Sequence, residues 1–209
     1  MQVIAIPCGP LGANAYLLTE PKSGLSALID APCADGRLGE LIEDGRIHLR
    51  YLLLTHGHFD HILGAEIIRD KTGAKVGIHQ SDAPCLKDPW ASLAEPMGLK
   101  KEGHPSMEPD LLLADGDLLP LGDAQIQVIH TPGHTRGGVC YRCGDFLFTG
   151  DTLFAGSFGR TDFPGGNMEE LAASCRRLAS LAGDLRVLPG HGEETTLDAE
   201  RSDNPILRS

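Results

Sequence analysis

Short apolar runs cut by glycine and proline open the chain: Val3 to Pro7, Ala15 to Thr19 and Ala27 to Ile29, each short enough to be a strand. A polar stretch from about Asp35 to Asp44 then carries Leu38, Leu41 and Ile42 on one helical face. Tyr51-Leu-Leu-Leu-Thr55 is nearly continuous apolar, the pattern of a strand buried on both faces, and it ends directly in His56. A helix over Ile62 to Lys71 and a strand over Lys75 to Ile78 are expected next. Strand patterns return at Leu111 to Leu113, Ile126 to Ile129, Val139 to Tyr141 and Phe146 to Phe148. Asn167 reads as a helix cap, with Glu170 at the capping-box position and Leu171, Cys175, Leu178 and Ala182 on one stripe. A last strand, Arg186 to Leu188, runs into Pro189-Gly190-His191. The order predicts a single α/β domain over residues 1–209, without internal repeats.

Pro84 to Asp110 breaks the pattern, with five prolines, two methionines and the only tryptophan. Trp90, Leu93, Met97 and Met107 predict a segment packed on the body or covering a site, not a free linker.

Composition narrows the partners. The 209 residues hold 18 Lys+Arg against 29 Asp+Glu, a net charge of -11. Basic clusters reach only pairs, Lys100-Lys101 and Arg176-Arg177, so no nucleic-acid partner is expected. No apolar stretch approaches the roughly 18 residues of a membrane span. Met1 to Thr19 lacks a basic n-region and is interrupted by Pro7, Gly9, Pro10 and Gly12, so a cytoplasmic location is expected. Of six cysteines, Cys140 and Cys143 form a C-x-x-C that could serve zinc or redox chemistry. A second pair at matching spacing is absent, and the segment also reads as two strands turning at Arg142 to Asp145. Reduced thiols are the simpler expectation.

The chemistry concentrates in the histidines. His56-Gly57-His58-Phe59-Asp60-His61 places three imidazoles and a carboxylate within six residues. His56 and His58 alternate at a strand end and so leave on the same side, able to chelate one cation. Asp60 and His61 fall one turn further on and face a second position. A loop of solvated histidines would not explain why an apolar strand ends in four ligand-type residues. Three more such residues follow strands through glycine-containing turns: His134, Asp151 and His191. His48, His79, His104 and His130 lack matched partners and are expected in core, surface or supporting positions.

This set, together with Gly12-Ala-Asn14-Ala-Tyr16, Leu28-Ile-Asp30, Gly150-Asp-Thr-Leu-Phe154 and Gly156-Ser-Phe-Gly-Arg-Thr-Asp-Phe163, resembles the metallo-β-lactamase-fold hydrolases. Within them it is similar to the compact glyoxalase II-like branch. The resemblance implies a four-layer αββα sandwich with metals at the rim between two sheets. It implies that His56, His58 and His134 hold one divalent cation, that Asp60, His61 and His191 hold a second, and that Asp151 bridges them. Zinc is the first expectation, with iron or manganese compatible with the same nitrogen and oxygen donors. Asp60 would also orient the nucleophile, and Asp30 would fix a ligand imidazole through its other nitrogen.

The implied activity is hydrolysis of a thioester such as a hydroxyacylglutathione, by a hydroxide held between the metals. A smaller thioester or a lactone is the next candidate, and a mono-iron persulfide dioxygenase the rival class. A class B β-lactamase is disfavoured, because it would usually carry cysteine at position 151 and be exported. Little chain follows His191, so the glutathione-holding helical region of glyoxalase II is not expected. Arg160 is the best local candidate for a substrate anion contact, with an Arg160–Asp162 pair holding the loop as the equal alternative.

Overall fold

Alternation along the strands sorts the apolar side chains into three layers, and these layers fix the architecture. The computed structural model describes residues 1–45, 47–99 and 103–208, so the Lys100-Lys101 pair lies outside the described residues. The first half forms β1 (Gln2–Cys8), β2 (Ala13–Thr19), β3 (Leu25–Ile29), α1 (Gly36–Glu43), β4 (His48–Leu53), α2 (Phe59–Ile62), α3 (Ala65–Thr72), β5 (Lys75–His79) and β6 (Leu111–Leu113). Its six strands make one sheet in sequence order, antiparallel from β1 to β3 and parallel from β3 to β6. The second half forms β7 (Leu118–Leu121), β8 (Ala124–His130), β9 (Val139–Cys143), β10 (Phe146–Gly150), the short β11 (Leu153–Phe154) and β12 (Ser157–Phe158), α4 (Met168–Ala179), β13 (Arg186–Pro189), β14 (Thr195–Thr196) and α5 (Leu197–Asp203). Here the sheet order is β14-β13-β10-β9-β8-β7, with β10 and β13 parallel and the other pairs antiparallel.

Successive residues of a strand face opposite sides. Tyr51 and Leu53 of β4 therefore meet Val128, Tyr141 and Phe148 between the sheets, while Leu52 and Leu54 pack outward with Leu38, Ile62 and Ile68 of the first three helices. On the far side, Ile129, Cys140, Leu147 and Val187 pack with Leu171, Cys175, Leu178 and Leu197 of α4 and α5. The result is a four-layer αββα sandwich. At about 1.5–3 kcal/mol for each fully buried aliphatic or aromatic side chain, a register slip in a central strand would forfeit both faces together.

The same alternation decides the C-x-x-C. Residues three apart on a strand face opposite sides, and Cys140 lies in the outer layer while Cys143 lies between the sheets. All six cysteines are free.

Several elements depart from the sequence expectation. The helix expected over Ile62 to Lys71 is split between α2 and α3 at Gly64, whose N–H donates to Ala31 O at 2.8 Å. A Cβ there would sit 2.1 Å from Cys33 O, so only glycine allows the two segments to touch. β7 lies outside the strand patterns read from the sequence; it contains Pro120 and is an edge strand, where proline is tolerated. Asn167 caps α4 by accepting from the N–H groups of Glu169 and Glu170, but its own N–H donates to Gly133 O, so no reciprocal capping box forms. In the Pro84 to Asp110 segment Leu93 and Met107 are buried, whereas Trp90 and Met97 are 63% and 54% exposed. No helix among the described residues is long and apolar enough to cross a membrane.

Candidate metal centre

Four strand-end loops meet at one rim, tied by backbone hydrogen bonds. Val139 N–H donates to Thr55 O at 2.8 Å, Gly190 N–H to Gly150 O at 2.8 Å, and Asn14 N–H to Gly190 O at 2.7 Å. Asn14 Nδ2 and the Tyr16 hydroxyl both donate to Pro189 O, fixing the turn before His191. These ties bring His56, His58, Asp60, His61, His134, Asp151 and His191 together.

Three overlapping groups have donor atoms within 4.8 Å of one another: His56, His58 and His134; His56, His61 and Asp151; and Asp60, His61 and His191. Asp151 spans them, with Oδ1 3.5 Å from His61 Nε2 and Oδ2 3.5 Å from His134 Nε2.

The ring orientations follow from the outer partners. Asp30 accepts from the Thr55 N–H at 2.7 Å, the Thr55 hydroxyl at 2.8 Å and His61 Nδ1 at 2.8 Å. Because the Thr55 hydroxyl donates to Asp30, its oxygen accepts from His56 Nδ1 at 3.0 Å. His134 Nδ1 donates to Arg160 O at 2.7 Å. His56, His61 and His134 thus each spend Nδ1 outward and turn Nε2 inward, while His58 points Nδ1 at His134 Nε2, 2.9 Å away. Asp30 itself sits at φ 61, a left-handed conformation rare outside glycine and kept here by three donors.

Burial and crowding by the other histidines hold His56 well below the usual imidazole value, and the same causes bring His58 down to about 3. For His61 burial acts downward, but Asp30, Asp151 and Asp60 outweigh it and lift the ring to about 10. The hydrogen bond from His191 to Asp60, 3.1 Å long, raises His191. Burial acts to raise Asp60, yet that bond and the surrounding imidazoles bring it to about 2.

Two buried side-chain atoms at the centre have no hydrogen-bond partner: His56 Nε2 and Asp151 Oδ1. Orphaned buried acceptors are costly, and a lone pair on each, facing the same space, is what a cation would satisfy. The residues present therefore fit a metal.

Sequence reading missed Asp82. Buried under the cluster, it accepts from the N–H groups of Gly57 (3.0 Å) and Gly137 (2.7 Å) and from the Thr135 hydroxyl (2.7 Å), so it clamps the His56–His61 loop to the His134 loop. Nothing in Ser81-Asp82 signals this, because its partners are 25 to 55 residues away. Removing three bonds to a buried charge should cost Asp82→Ala about 3 kcal/mol, roughly 10 °C in thermal midpoint. A melting scan checks it; an unchanged midpoint would remove the clamp.

The remaining candidates separate. His79 stacks on His130 at 4.2 Å, away from the cluster contacts. Arg160 is forked onto Asp162 through Nε at 2.7 Å and Nη2 at 2.6 Å, and lies 3.9 Å over the Phe163 ring. Its backbone carbonyl, not its guanidinium, touches the cluster.

Two facing mixed sheets with a His/Asp cluster at one rim define the class, and comparison with known proteins agrees. A match to the metallo-β-lactamase superfamily spans residues 8–191. A Haemophilus influenzae protein named hydroxyacylglutathione hydrolase GloC is 34% identical, covering 100% of this chain and 99% of its own. Among solved structures, BLEG-1 B3 metallo-β-lactamase superposes with a TM-score of 0.88 at 33% identity, covering 100% of both chains. TTHA1623 in a di-iron-bound form gives 0.85 at 37% identity, covering 98% of this chain and 100% of its own. The chain belongs to the metallo-β-lactamase superfamily.

Proposed function

We propose that the protein is a binuclear metal-dependent hydrolase that cleaves a thioester, with a hydroxyacylglutathione as the reference substrate. The observation that carries this reading is the pair of orphaned buried atoms, His56 Nε2 and Asp151 Oδ1, amid three donor groups. His56, His58 and His134 would hold one cation and Asp60, His61 and His191 the other, with Asp151 between. When bound, two cations would acidify water and take up charge developing on a carbonyl oxygen. The chain's own residues do the rest. Asp60, held as a carboxylate beside His191 at 3.1 Å, would orient an attacking water besides holding a cation. Phe154 and Phe163 flank the cluster edge-on, 6.4 Å from His191 and 6.0 Å from His58. The nitrogen and oxygen donor set suits zinc and also admits iron or manganese. Free cysteines and the acidic balance support a cytoplasmic protein acting on a small molecule, without nucleic-acid or membrane partners.

Elemental analysis of the purified protein with a thioester panel tests the reading. Two cations per chain and thiol release are expected. One iron per chain with oxygen uptake on a glutathione persulfide would replace it with the dioxygenase alternative. The complete Asp60, His61 and His191 group favours two cations over one.

Asp30 offers a narrower test. Asn in its place keeps the shape but leaves one oxygen to serve three donors, and turns an amide N–H₂ towards at least one of them. Asp30→Asn should weaken metal binding about 10–100-fold. A competition titration against a chelator reads it, and unchanged affinity would remove Asp30 from the support of His61.

A further inference from the structure

The cavity over the cluster has a volume of about 380 Å³, and beyond the candidate ligands its lining is mostly apolar, Leu11, Leu93, Met97, Phe154 and Phe163 among it, with Ser157 and Arg160 as the polar members. Leu11 and Met97 stand at the rim 53% and 54% exposed, an arrangement that leaves apolar surface in water unless something covers it. Leu93 is held in the wall at φ 67, a conformation costly for a residue with a Cβ and found where surroundings over-determine it. The cation among the described lining residues, Arg160, is already paired with Asp162. Outside the cluster and Arg160, Ser157 is the other polar side chain among the described lining residues, and a single hydroxyl does not recompense a substrate carboxylate for leaving water. At roughly 30 Å³ per water-sized group, the space takes about a dozen non-hydrogen atoms, so a tripeptide conjugate would leave most of its peptide outside.

Resting on the hydrolase reading, we propose that this cavity selects the substrate by an apolar acyl group, a short aliphatic or aromatic chain attached to the scissile carbonyl. Glutathione is then not the recognised part. The reaction is ordinary hydrolysis: water adds to the acyl carbon, the C–S bond breaks, and a carboxylic acid and a thiol leave. The rival recognition lies on the other side of His58, where a second cavity of about 290 Å³ carries Arg136, whose guanidinium has no carboxylate partner among the described residues. An anionic substrate tail would go there.

The test uses metal-loaded full-length protein and thioesters of one small neutral thiol with acetyl, butyryl, hexanoyl and phenylacetyl groups, alongside S-lactoylglutathione. The expected result is kcat/KM rising about fourfold per added methylene until the cavity is full. Leu11→Ser combined with Met97→Ser should cut the hexanoyl-to-acetyl ratio about tenfold with metal content retained. Equal rates along the series, or a ratio unmoved in the double variant, would overturn the proposal while leaving the hydrolase reading in place. So would S-lactoylglutathione as the best substrate with that advantage lost in Arg136→Ala. If no thioester is cleaved, the hydrolase reading itself fails. Calorimetric titration with hexanoate against acetate then decides the cavity: at least about tenfold tighter binding of hexanoate upholds an apolar-chain site, and equal or absent binding ends it.

Discussion

Asp151→Ala is expected to abolish turnover and strip most metal from the purified protein, while the metal-free fold stays within about 1 kcal/mol of its original stability. The two expectations have one cause. Asp151 faces His61 with one oxygen and His134 with the other, both at 3.5 Å, beyond hydrogen-bond range, and Oδ1 is buried without a partner. In the metal-free chain this carboxylate gains a long-range attraction to the His61 ring and loses hydration, so deleting it removes a cost with a benefit. With cations present the balance reverses, because each site filled at a hundred times its dissociation constant adds about 2.7 kcal/mol. Wild-type protein should gain roughly 10–20 °C in thermal midpoint on metal loading, and Asp151→Ala only a small part of that. Melting scans with and without metal, beside elemental analysis, read both numbers. Full metal content in the variant would remove Asp151 from the bridging position.

The contrast between Asp151 and Asp82 shows where the sequence was informative. The ligand-type residues were legible because each group follows an apolar strand, directly or through a short glycine-containing turn, and strands that pair in register deliver their ends to one rim. His56 to His61 was legible at still shorter range, within a single turn of chain. Asp82 was not, because its role exists only after the loops at Gly57 and Gly137 have been brought to it by separate sheets. Arg160 leaves two readings open in the sequence, an anion contact or a pair with Asp162, and the structure shows the pair. Its carbonyl, invisible to residue-type reasoning, orients His134. The fold followed the same rule. Long central strands with two apolar faces were readable, whereas β7 with its proline and the two-residue strands depend on neighbours for their pairing.

Gly190→Ala should produce the same loss of metal as Asp151→Ala but by steric means, and with damage to the metal-free fold as well. A Cβ on Gly190 would stand 2.3 Å from Asp151 Oδ1 and 2.8 Å from His61 Cε1, in the cradle between the two donors. The backbone cannot retreat, because the Gly190 N–H is bonded to Gly150 O at 2.8 Å and its carbonyl accepts from Asn14 N–H at 2.7 Å. His61 cannot move either without breaking its bond to Asp30 inside a fully buried site. Overpacking of this kind costs about 1–3 kcal/mol, so the metal-free midpoint should fall roughly 3–10 °C where that of Asp151→Ala barely changes. The double variant discriminates further. With Asp151 already truncated, the methyl meets one obstacle fewer, so adding Gly190→Ala should cost less than it does alone, by about 0.5–1 kcal/mol of coupling. Additive losses would mean that the methyl and the carboxylate do not compete for the same space, and the cradle would have to be drawn elsewhere.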